Sequence, residues 1–180
     1  GNSLSDLLVF GRRAGLGAAE YAKVHGDFRP IVSEDDVTAA AQRALAPFEN
    51  DGGENPYTLH QELQQTMNDL VGIIRREQEM TDALARLEAL KQQARQVGVE
   101  GHRQFNPGWH LALDLQNMLM VSECVARAAL LREESRGGHT REDHPAMSDE
   151  WRQRNLACNL DGDTVRVTQQ PIPTMPNALL

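Results

Sequence analysis

The chain has 180 residues, of which 40% are apolar but only 4% aromatic, and it carries a formal net charge of −8. That length suits one domain with appendages, and a core so poor in rings must be built from Leu, Ala, Val, Ile and Met, which favours packed helices over a sandwich of strands. The negative charge disfavours non-specific binding to nucleic acid or to an anionic membrane surface, and no apolar run approaches the ~20 residues that cross a bilayer directly.

The first predicted helix covers residues 3 to about 23. Leu4, Leu7, Leu8 and Phe10 give it one broad apolar face, and Gly11, Gly15, Ala18, Ala19 and Ala22 form a small-residue stripe at spacings of three and four. Glycine within a helix costs roughly 1 kcal/mol against alanine, so the two glycines point to close approach by another backbone. Asn2 or Ser3 caps the start, and Gly26 and Pro30 end it.

A second helix is expected from Ser33 to about Phe48, with Asp36 completing a capping-box analogue and Glu34 and Asp35 in the first turn. After a turn-rich stretch, Asn55-Pro56 opens a third helix whose buried side is marked by Leu59, Leu63, Met67, Leu70, Val71 and Ile74. Arg75-Arg76-Glu77 reads as a charged break. Met80, Leu84, Leu87, Leu90, Ala94 and Val97 then define a fourth helix that ends at Gly98. Asn106-Pro107 opens the longest helix, to about Glu133, apolar around much of its girth and therefore central. Beyond Ser135 the helical period is lost, and residues 155–160 and 164–168 are expected to be two short strands around Asp161-Gly162-Asp163. The fold class that results is mainly α: a three-helix bundle of the spectrin-repeat kind, preceded by an extra amino-terminal helix and followed by a two-stranded, extended tail.

Few residues offer chemistry. A helix start presents unpaired N–H groups and partial positive charge, which suits a phosphate, a carboxylate or an electron-rich ring edge, but the same feature serves as a plain capped helix. His139, with Asp143 or Glu142 as orienter, has the makings of a general base, yet no nucleophile accompanies it. The preferred reading is a loop that docks through charged hydrogen bonds. His139, His144 and Asp143 are too loosely spaced for a metal site. The methionines Met67, Met80, Met118 and Met120 read as core filler, and the charged helix face (Glu62, Arg75, Arg76, Glu77 and Glu79 among others) as solvated. Cys124 and Cys158 lie far apart with no CxxC spacing and are expected to be buried, reduced thiols of an intracellular chain. The start, Gly1-Asn2-Ser3-Leu4, has neither a signal peptide's basic region nor an initiator Met, as expected of a fragment or a processed product.

The run from Gly1 to Gly15, GNSLSDLLVFGRRAG, resembles the last flavin-binding helix of the succinate dehydrogenase and fumarate reductase flavoprotein family. That family also includes L-aspartate oxidase and, more distantly, adenylylsulfate reductase. The resemblance continues in order along the chain. Leu63-Gln64 with Met67, then Val71-Gly72-Ile73-Ile74-Arg75, is similar to the family's first long bundle helix. Phe105-Asn106, residues 113–117 and the run from Arg136 to Asp143 are similar to its last long helix and the loop after it. Trp151-Arg152 before a strand pair resembles the tail of the respiratory members rather than of L-aspartate oxidase, although the short segment from Pro145 to Trp151 and the Leu179-Leu180 ending depart from it.

What the resemblance implies is specific. Asn2, Ser3 and Leu4 would lie against the flavin of FAD, with Ser3 and Leu4 at its pyrimidine end, and Arg136, His139 and Arg141 would belong to the interdomain docking loop. Residues 1–32 would be the last helix of the flavin-binding domain, 33–134 the helical bundle, and 135–180 a loop and strand-containing tail. The parent would interconvert succinate and fumarate by hydride transfer at flavin N5, with an arginine relaying a proton, and would pass electrons to an iron–sulfur subunit, then to a quinone. It would be cytoplasmic and peripheral on the inner face of the cell membrane through partner subunits. The Gly-rich dinucleotide motif, the histidine that carries covalent flavin, the substrate-binding arginine and the capping domain all fall outside this sequence. The chain alone is therefore expected to be inactive, to hold no FAD firmly, and to self-associate through apolar surfaces meant for the absent domains. The readings from other classes are the corresponding part of L-aspartate oxidase and a stand-alone helical interaction module without redox role.

Overall fold

The computed structural model describes residues 3–28 and 31–174. The chain divides into two compact units, Gly1–Ala41 and Gln42–Leu180.

The first unit is dominated by α1, Ser3–Val24, none of whose residues is buried. Leu4, Leu7, Leu8, Phe10 and Leu16 are all more than half exposed. A Cβ built at Gly11 or Gly15 would meet nothing within 4 Å, so the close approach expected from these glycines is not made among the described residues. The helix α2, Glu34–Leu45, begins with the expected box: the Asp36 N–H donates to Ser33 Oγ at 3.1 Å, and the Ser33 N–H to Asp36 Oδ2 at 3.4 Å. It stops three residues short of the expected end. Pro47 has no N–H to give to the α-helical ladder, and residues 46–48 tighten into a 3-10 turn.

In the second unit α3 (Pro56–Leu70), α4 (Glu77–Ala94) and α5 (Pro107–Leu131) form the bundle. Both α3 and α5 open with the same Asn-Pro device. Asn55 Oδ1 accepts from the Tyr57 and Thr58 N–H groups, and Asn106 Oδ1 from the Trp109 N–H, while proline sits where no donor is needed. The core joins Leu59 and Leu63 of α3, Ala83, Leu87, Leu90 and Ala94 of α4, and Ala112, Leu115, Leu119 and Ala126 of α5. Helix α5 touches both other bundle helices and the tail, so it is central as expected. Gly53 and Gly98 let the segment before α3 and the end of α4 meet backbone to backbone, joined by a bridge between Glu54 and Val97. A Cβ at Gly98 would stand 2.3 Å from the Asn50 carbonyl oxygen.

Two details correct the expectation for α3. It ends at Leu70, and Ile74 is 59% exposed in β1 (Ile74–Arg75) rather than on the buried side. The charged break is therefore a strand, paired in parallel with β2 (Thr140–Arg141), a partner 66 residues on: Ile74 sits beside Thr140 and Arg75 beside Arg141. The tail hairpin is β3 (Arg154–Asp161) and β4 (Thr164–Pro171), antiparallel, with Asp161 paired to Thr164 across a two-residue turn in which Gly162 takes φ +62°. Buried Val165 and half-buried Val167 anchor the hairpin, which packs on α5. Among the described residues no helix is long and apolar enough to cross a membrane.

Candidate functional site

Two places gather the residues that the sequence singled out. The first is the start of α1. Ser3 is its first residue and is exposed, Leu4 is 75% exposed, and Asn2 lies outside the described residues. The first-turn N–H groups of a helix have no acceptor within it, and Asp6 in that turn complements the helix dipole. A hydroxyl, free amides and a neighbouring apolar face suit one edge of a planar, electron-rich ring. They fit part of a flavin and hold nothing of a dinucleotide's phosphates.

The second is the loop after α5, where three residues of the predicted docking set sit together. Arg141 is 1% exposed. Its Nη1 donates to the carbonyls of Ala129, Leu130 and Arg132 at 3.1, 2.9 and 3.3 Å, filling acceptors that the end of α5 leaves unpaired. Its Nε and Nη2 form a two-pronged pair with Asp143, both at 2.7 Å. Asp143 Oδ2 in turn accepts the Glu77 N–H at 2.9 Å and so caps α4, which has no cap of its own at Arg76. A cation thus faces the negative end of α5 and an anion the positive end of α4, joined in one ion pair. The Arg141 guanidinium, first of all, holds the Asp143 carboxyl far below the usual range.

Arg136 belongs to a neighbouring cluster. Glu134, 0% exposed, accepts from Arg132 Nη1 (2.5 Å), Arg136 Nε (2.9 Å), Arg136 Nη2 (3.1 Å) and the Ser148 N–H (2.8 Å). The Arg136 hydrogen bonds outweigh the cost of burial, and with Ser148 and Arg132 they bring its pKa down to about 2.

His139 is half-buried with both ring nitrogens engaged. Nδ1 lies 2.8 Å from Arg75 Nη1 and Nε2 lies 3.0 Å from the Arg132 carbonyl oxygen. A guanidinium only donates and a carbonyl only accepts, so Nδ1 is the acceptor and the proton is on Nε2, which is the neutral tautomer. Burial, and then the charges of Arg75, Arg141 and Arg132, keep its pKa below the ordinary histidine value. A general base needs a free nitrogen, and neither is available. Arg75, read from sequence as solvated, is instead half-buried and also donates from Nε to the Val71 and Gly72 carbonyls. It borders an open groove of about 1080 Å³ with Gln64, Asn68, Ile73 and Gly138.

The cysteines also depart from expectation. Cys158 is exposed and Cys124 half-buried, and the fold brings the two together. β3 is covered only in part: Leu156 and Ala157 are half-buried, whereas Cys158, Asn159 and Leu160 are exposed. Beside Cys124, Glu123, 4% exposed, pairs with Lys91 and with Arg127 Nε at 2.6 Å. Burial alone would raise the Glu123 pKa, but these two cations hold it below its ordinary value. Of the methionines, Met80 is fully buried and Met67 and Met118 pack against the core, whereas Met120 is 38% exposed.

A three-helix bundle followed by a clamped loop and a hairpin is the fold of the carboxy-terminal domain of fumarate reductase flavoproteins. Residues 60–178 match the family model described as fumarate reductase flavoprotein C-term, and the chain belongs to that family. It corresponds to the carboxy-terminal domain of succinate dehydrogenase and fumarate reductase flavoprotein subunits. A solved structure of the Mycobacterium smegmatis Sdh1 complex in its apo form is 60% identical, with a TM-score of 0.88 over 95% of this chain and 29% of that one. The fumarate reductase flavoprotein subunit of Mycobacterium tuberculosis is 34% identical over 95% of this chain and 30% of its own length. The succinate dehydrogenase flavoprotein subunit of Coxiella burnetii is 33% identical over 99% of this chain and 30% of its own. The chain therefore spans less than a third of the relatives it matches.

Proposed function

We propose that this chain is the carboxy-terminal part of an FAD-dependent subunit that interconverts succinate and fumarate and hands electrons to an iron–sulfur subunit. Asn2, Ser3 and Leu4 contact the flavin, and residues 1–32, 33–134 and 135–180 act as flavin-domain helix, bundle and docking tail. The bound flavin supplies hydride and electron transfer. This chain's part is to lay the positive end of α1 against the ring and to brace the flavin domain from outside. Arg136 and His139 present the loop to the neighbouring domain, and buried Arg141 gives the loop its shape. The complex sits on the inner membrane face through its partner subunits, and the chain without the remaining domains neither turns over substrate nor holds FAD.

The observation that carries this reading is α1 itself. A 22-residue helix with an apolar face and no buried residue needs a covering surface, and flavoprotein relatives that match 95% and 99% of this chain support a flavin domain as that surface. The test is Ser3→Asp in the full flavoprotein. A helix-end effect of ~1–2 kcal/mol corresponds to roughly 20–45 mV for a two-electron couple, so a carboxylate placed there should lower the flavin potential by that order. An unchanged potential would count against contact at Ser3.

A further inference from the structure

We propose that Cys124 and Cys158 are a dithiol site that a low-molecular-weight disulfide oxidises to a disulfide bond, fastening the tail hairpin to α5. This goes beyond the flavin reading and does not depend on it.

The fold builds the pair from both sides. Cys124 follows buried Glu123 on α5. In β3 the side chains of Leu156, Cys158 and Leu160 share one face, and Cys158 is paired with Val167 and Leu160 with buried Val165. Because β4 packs on α5, that register carries Cys158 to the helix. Its Sγ lies 3.8 Å from the Cys124 carbonyl oxygen, which sets the two residues side by side. Neither is in a disulfide. The end of α5, the loop and the start of β3 separate them, so only tertiary packing makes them neighbours.

The two sulfurs have different roles. Cys158 is exposed and meets the reagent first. Burial, then Cys158 itself, then Glu123 push the Cys124 thiol up, with Lys91 opposing, which makes it a poor first nucleophile. The Cys158 thiolate attacks one sulfur of the small disulfide, whose S–S bond breaks and releases a thiolate. The Cys124 thiolate then attacks the Cys158 sulfur, and the second small thiolate leaves. The protein gives up two electrons, the reagent gains them, and the two thiol protons end on the two released thiols. The new bond encloses the loop that holds Glu134, Arg136, His139 and Arg141.

The experiment treats the reduced, full flavoprotein subunit with glutathione disulfide, alkylates the remaining thiols, and maps the digest by mass spectrometry without reduction. The expected product is a cross-linked peptide containing Cys124 and Cys158, two hydrogens lighter than the reduced pair. In Cys124→Ser the reaction should stop with glutathione on Cys158, and in Cys158→Ser the remaining thiol should react at least about tenfold more slowly. Cys124→Ala repeats the trap if the serine variant does not fold. Glutathione retained on Cys158 of the unaltered protein beside an alkylatable Cys124, or no reaction at either thiol, would overturn the proposal.

Discussion

Replacing Glu134 by glutamine tests whether the loop after α5 is held by one buried carboxylate. Four donors from Arg132, Arg136 and Ser148 converge on its two oxygens, and its side chain is 0% exposed. In Glu134→Gln one oxygen becomes an NH2 that faces donors, so two charge-assisted bonds are lost. At about 1.5 kcal/mol each, the loss is about 3 kcal/mol, or a fall in melting temperature of about 10 °C. The pH dependence gives a second route. The carboxyl is lowered from 4.5 to about 2, so its contribution is complete above pH 4.5 and is lost as pH falls through about 2. The unaltered chain should therefore lose stability relative to Glu134→Gln by up to about 1.4 kcal/mol per pH unit in that window, and the two should converge at its acid end. Urea titrations followed by tryptophan fluorescence suit the measurement, because Trp151 stacks on Arg132, 5.3 Å from its guanidinium carbon. A variant within about 0.5 kcal/mol of the unaltered chain at pH 7, or a gap that stays constant as the acid is added, would refute the reasoning.

Arg141→Lys should cost about 3 kcal/mol, since one ammonium cannot cap the carbonyls of α5 and chelate Asp143 together. Hydrogen exchange should quicken at Glu77, whose amide Asp143 caps, and unchanged protection there would contradict the two-helix clamp. Leu115→Ala, at a position 0% exposed in the centre of the bundle, should cost about 3 kcal/mol by leaving a cavity. Denaturant unfolding should show a lower midpoint with the same slope, and an unmoved midpoint would mean that α5 is not the core helix.

Local chemistry made much of this fold readable in one dimension. Asn-Pro at residues 55–56 and 106–107 announces two helix starts because an Asn side chain and a ring without N–H solve the same unpaired-donor problem each time. Ser33 with Asp36 announces a third, and Asp161-Gly162-Asp163 a hairpin turn. Apolar residues at three and four spacing placed Leu59, Leu87 and Leu115 in the core, since helical period and burial are the same fact there. The start of α1 stands out in the sequence for a like reason, being a contiguous run.

The loop after α5 was only half legible. Arg136, His139 and Arg141 stand out as a polar run, but their chemistry depends on partners that sequence distance hides. Asp143 reaches Glu77, and Arg75 reaches both His139 and, through the short parallel ladder, the backbone beside Arg141. Arg75 looked solvated because charge is read from composition, whereas burial is decided by what packs against it. The same holds for Cys124 and Cys158, which the chain keeps apart and the hairpin brings within reach. Helix periods, caps and turns are short-range and so were settled by the order of residues. Which charges meet, which histidine nitrogen keeps its proton and which thiols become neighbours were decided only by the packing of α5 against the tail and of its end against α4.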